Sequence, residues 1–97
     1  MASAADLDIK MDSSTLYREE IYTDRKIGTI RTLVPVTANG ATDGGRPVVY
    51  TGEAQIMTQM GPLPITFEIE ANSLSEAVEG YAAAAKVAVD RTVRELQ

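Results

Sequence analysis

Cysteine, histidine and tryptophan are all missing from this 97-residue sequence, and it holds a single phenylalanine. Without cysteine there is no disulfide, no thiolate metal ligand and no redox centre. Without histidine, the commonest proton-transfer group near neutral pH and the commonest metal-binding side chain are both gone. An enzyme built on this chain would have to use carboxylates, tyrosine, lysine, arginine or hydroxyls. No G-x-S-x-G elbow, H-E-x-x-H helix or dinucleotide fingerprint occurs, and the expectation is no cofactor and no metal site.

Positive charge is also scarce. Nine Lys and Arg stand against fourteen Asp and Glu, a net charge of −5, which argues against nucleic acid as a partner because that footprint needs clustered cations. No run approaches the roughly eighteen apolar residues needed to cross a bilayer, so no membrane partner is expected either. The N-terminus lacks the basic start and apolar run of a signal peptide, and the expected location is cytoplasmic.

What is present is ordinary for a globular chain: 44% hydrophobic and 24% charged residues, at a length suited to one domain. Residues 1–14 read as a mobile leader, and 15–97 as a single α+β domain. Within the leader, Asp6-Leu7-Asp8-Ile9-Lys10-Met11-Asp12 alternates polar and apolar residues. Its alternative role is an arm that adds a strand to a sheet edge, in this molecule or in a partner.

Leu16–Tyr22 reads as a first strand, Thr23–Lys26 as a turn, and Ile27–Val36 as a second strand. Pro35 lacks an N–H and belongs at an edge or strand end. The inward face of this second strand is ambiguous, since Ile30, Val34 and Val36 favour one side and Ile27 and Leu33 the other. Thr37–Arg46, with Asn39-Gly40 and Asp43-Gly44-Gly45, reads as a long mobile loop. It lacks the spacing and the Gly-Lys-Ser/Thr ending of a phosphate-binding loop.

Pro47–Met60 and Ile65–Ala71 are the clearest strands. Val48, Tyr50, Gly52, Ala54 and Ile56 share one face of the first, and Ile65, Phe67, Ile69 and Ala71 share one face of the second. With Gly61–Pro64 as the connection, Met60 pairs with Ile65 and Ile56 with Ile69, so the apolar faces coincide. Ser73 and Glu76 form a capping box. From Leu74 the apolar period is helical nearly to Gln97. The fold expected is β-β-β-β-α, a four-stranded antiparallel sheet packed on one face by a long C-terminal helix, with an extra N-terminal strand if the arm pairs.

Three groups of residues invite a functional reading. Tyr17, Arg18, Arg25 and Arg31 offer a surface for an anionic or planar ligand; an exposed edge strand whose charges discourage strand pairing explains the same residues. Glu53, Glu68 and Glu70 share an outer sheet face, which reads as solvated rather than metal-binding. The helix, about 34 Å from Leu74 to Leu96 at ~1.5 Å per residue, is longer than a typical strand of ~17–20 Å. It therefore overhangs its own sheet. Either its small residues serve close helix–sheet packing, or Tyr81, Ala84 and Ala88, with Met57, supply a second contact face.

The function expected from these features is a non-catalytic protein–protein interaction module that self-associates, with a dimer favoured. The alternative is a small-molecule or anion-binding protein with its pocket between sheet and helix. Least favoured is an enzyme using Glu19 and Glu20 with Arg18.

Overall fold

The computed structural model describes residues 9–96. The first part of the leader, and with it Asp6, Leu7 and Asp8 of the proposed arm, lies outside them; Ile9 and Met11, which are described, stand exposed and belong to no strand. Four strands follow: β1 (Tyr17–Thr23), β2 (Thr29–Pro35), β3 (Val49–Thr58) and β4 (Gly61–Ile69). They form one antiparallel meander in the order β1-β2-β3-β4. The helix α1 (Leu74–Glu95) packs across one face. This is the expected α+β architecture.

Register explains which side chains meet the helix. Tyr22 lies opposite Ile30, Ile30 opposite Gly52 and Gly52 opposite Phe67. Side chains alternate along each strand. Arg18, Glu20 and Tyr22 of β1 therefore share the helix-side face with Ile30, Thr32 and Val34 of β2, and with Tyr50, Gly52, Phe67 and Ile69. The ambiguity of β2 is thereby resolved. Ile30 is buried against the helix, Ile27 lies in the turn and is 77% exposed, and Leu33 faces outward. Pro35 ends β2 opposite Tyr17, where its missing N–H interrupts no ladder bond.

The β3–β4 hairpin differs from its expected register. Thr58 pairs with Gly61 and Ile56 with Leu63, six residues before Ile69 along the chain. The slide is even-numbered, so the apolar faces still coincide. Pro62 and Pro64, expected in the connection, both lie inside β4.

The core is small: Ile30, Tyr50, Ile69 and Ala77, with Phe67, Ala71, Leu74, Tyr81 and Ala84 packed around it. Ser73 caps the helix, its Oγ accepting from the Glu76 N–H at 3.1 Å. Small residues bring the helix close. Ala77 is fully buried, and a Cβ on Gly80 would stand 3.3 Å from Ile69 Cγ2.

The 37–46 segment is not the free span its glycines suggest. Asp43 N–H donates to the Pro35 carbonyl (2.9 Å), and Arg46 Nη2 donates to the carbonyls of Leu16 (2.9 Å) and Val36 (2.8 Å). The Arg46 guanidinium also pairs with Asp43 and lies 5.0 Å from the centroid of the Tyr17 ring.

Candidate functional site

The two edges of the sheet are built differently. Val36 N–H donates to the Leu16 carbonyl at 3.0 Å. The alternation of an antiparallel ladder then sends the N–H and C=O of Arg18, Glu20 and Tyr22 to β2, and those of Tyr17, Glu19, Ile21 and Thr23 to the open edge of β1. The same count carried across β2 and β3 points the backbone nitrogens of Pro62 and Pro64 outward from β4. Half of that edge therefore has no donor. The C-terminal half of the helix also overhangs β4, where Ala84, Val87, Ala88, Arg91 and Thr92 wall a groove of about 950 Å³ with Pro64, Thr66, Glu68 and Glu70.

β1 has neither protection. No Cα of the helix comes within 8 Å of one in β1. Ile21 is 59% exposed, and Tyr17 and Tyr22 are each 42% exposed. This strand is the least covered part of the sheet.

The four ligand-binding candidates do not converge. Tyr17 and Arg31 lie on the outer sheet face, whereas Arg18 points to the helix side and Arg25 sits in the β1–β2 turn. Each cation on the strands already has anionic company. Arg18 lies 3.6 Å from Glu20, and Arg31 lies 3.5 Å from Glu19 and 3.0 Å from Glu53. The turn is likewise self-contained. Asp24 Oδ1 accepts from the N–H groups of Lys26 (2.9 Å), Ile27 (2.9 Å) and Gly28 (3.3 Å), with Arg25 at φ +61°. Amides that would cradle an external anion are thus turned to the chain's own carboxylate.

Those amides, with Ile27 foremost, hold the Asp24 carboxyl below the usual carboxylate range. Its folded pKa lies below its unfolded value of about 3.9, so its contribution to stability is present above that value and is lost as pH falls through the folded pKa. Urea midpoints measured from pH 5 to pH 2 should fall, and Asp24→Asn should flatten the part of that fall below about pH 4. An unchanged slope in the variant would mean that the turn draws nothing from the charge.

The interface candidates also separate. Tyr81 is turned inward, its hydroxyl donating to the Glu53 carbonyl at 2.7 Å, and Ala84 and Ala88 line the groove beside β4. Met57 projects from the opposite sheet face and is 79% exposed. Glu53 is engaged by Arg31. Among the described residues no group of three or more acidic side chains is placed to hold a metal ion.

A cleft of about 380 Å³ opens between the β1–β2 turn and the first half of the helix. Tyr22, Ile27, Ile30, Leu74, Val78 and Tyr81 supply its walls, and Asp24 is its one acidic side chain. A more polar hollow of about 530 Å³ lies where β3 and β4 extend past that turn, with Arg25 and Lys26 at its rim and Glu53 within it. Ile21, Gly28 and Arg46 carry no functional signal in the sequence. Their roles depend on strand order and close approach, which no local pattern carries. No protein-family model matches this chain, and comparison with curated proteins and with solved structures found no match.

Proposed function

We propose that this protein is a non-catalytic protein–protein interaction module that self-associates, as a dimer. The observation that carries this reading is the open, uncovered β1 edge in a sheet whose other edge is interrupted by two prolines. An edge with free backbone groups and exposed apolar side chains is a template for another strand. The dispersal of Arg18, Glu19, Glu20 and Arg31 into separate ion pairs, on opposite faces of the sheet, supports a non-catalytic role.

Sedimentation equilibrium from low to high micromolar concentration tests it. A dimer mass is expected, and a monomer throughout the range would refute the proposal.

A second reading is favoured by the cleft beside Tyr22 and Tyr81. Its walls are largely apolar and its one charge is acidic, so it suits a neutral or cationic ligand with an apolar body rather than an anion. A binder of the folded state raises apparent stability by mass action. A thermal-shift screen with such compounds at millimolar concentration should give an upward shift, and Val78→Glu should abolish it.

A further inference from the structure

We infer that the surface of self-association is β1 itself, paired antiparallel with β1 of a second copy about a two-fold axis at Ile21. The inference rests on the self-association proposed above and specifies its geometry. A strand pairing with its own copy must be self-complementary, because residue i meets j wherever j meets i. The outward amides belong to Tyr17, Glu19, Ile21 and Thr23, so the ladder forms only where odd-numbered positions meet odd-numbered ones.

Three such registers overlap five or more residues of β1, centred on Glu19, Glu20 and Ile21. The first sets Glu19 against its own copy, and the second does the same with Glu20. Like charges directly opposite each other destabilise a strand pair. The third opposes no like charges. It sets Ile21 against Ile21, Glu20 against Tyr22, Glu19 against Thr23 and, at the two ends, Arg18 against Asp24.

The chemistry of each pair fits. Ile21 is the most exposed large apolar side chain of β1. Tyr22 already donates its hydroxyl to Glu20 within one strand, at 3.2 Å, and the register offers the same exchange between copies. Asp24 spends Oδ1 on the turn amides and keeps Oδ2 for Arg18. The product is a continuous eight-stranded sheet bounded at both ends by β4 and its prolines, so pairing stops at two copies.

The test compares the full chain with Ile21→Pro and Ile21→Lys by sedimentation equilibrium. The Ile21 N–H points to the open edge, so proline removes no bond to β2 and blocks the pairing. Lysine keeps every amide and sets two cations on the axis. Both variants should show wild-type far-UV circular dichroism and at least a tenfold higher dimer dissociation constant, the factor equivalent to about 1.4 kcal/mol. If wild type is a dimer and both variants dimerise equally well, this surface is wrong while self-association stands. If wild type is a monomer, both fall. Should the proline variant lose its native circular dichroism, the lysine variant decides alone.

Discussion

Replacing Gly52 with alanine is expected to destabilise the protein by about 3 kcal/mol, the upper range for forcing extra volume into a packed core. A Cβ at this position would stand 2.5 and 2.6 Å from Cε2 and Cζ of Phe67, and 3.2 Å from Ile69 Cδ1. Phe67 lies directly opposite in the ladder, with its ring over the glycine. It cannot swing away freely, because the Tyr81 ring meets it at a centroid distance of 5.3 Å and a tilt of 59°. Removing a glycine from a strand interior ordinarily returns about 0.5–1 kcal/mol through the unfolded chain. That gain is smaller than the clash. For a domain of this size the midpoint of thermal unfolding should fall by roughly 12–24 °C. Pairing the change with Phe67→Leu should recover part of the loss, giving a coupling of about 1 kcal/mol or more in a double-mutant cycle. An unchanged midpoint in Gly52→Ala would show that the ring does not cover the glycine.

That glycine marks the limit of what could be read beforehand. The alternation Val48, Tyr50, Gly52, Ala54 and Ile56 identified the helix-facing side, and the period from Leu74 identified the helix with its Ser73 cap. Both are local signals, and both survive in the structure. The β3–β4 register was not legible, because Pro62 and Pro64 read as turn formers. They read so unless β4 is known to be an edge, where a nitrogen without hydrogen is tolerated on the solvent side. Edge or interior is a property of strand order. For the same reason Tyr17, Arg18, Arg25 and Arg31, adjacent in sequence or joined by a turn, read as one site. The pleat sends Tyr17 and Arg31 to one face and Arg18 to the other.

The small core and the guarded edge belong to one economy of design. Only six hydrophobic residues are buried among those described, and several large apolar side chains remain outside. A sheet this thinly covered would invite promiscuous pairing at both margins. At β4 the prolines, Glu68, Glu70 and the overhanging helix oppose it. At β1 the charges leave one self-pairing free of repulsion. In the pairing proposed above, specificity rests on excluding the wrong registers rather than on strong attraction in the right one.

Tyr81→Ala should cost about 3 kcal/mol, at the low end for removing a large aromatic because the ring is only half-buried. This side chain joins the helix to two strands and a turn: it packs on Phe67 of β4, donates to the Glu53 carbonyl of β3, and covers Gly28 in the turn before β2. Tyr81→Phe separates these contributions. It keeps the ring and loses one hydrogen bond, for which about 1 kcal/mol is expected. Gly28 supplies the internal control. A Cβ there would run into the Tyr81 hydroxyl oxygen and Cζ, so Gly28→Ala must displace the ring or the turn. In a Tyr81→Ala background that obstacle is gone, and the added cost of Gly28→Ala should shrink to less than half its value in wild type. Alkaline titration gives an independent check. Burial, with the charges of Asp24 and Glu53, raises the Tyr81 phenol above its ordinary value. A raised folded pKa means stability that is present below the unfolded value of about 10 and lost as pH climbs through the folded one. Tyr81→Phe should therefore lose less stability than wild type above about pH 10. Equal alkaline losses in the two proteins would place the ionising group elsewhere and leave the hydroxyl with no measurable hold on Glu53.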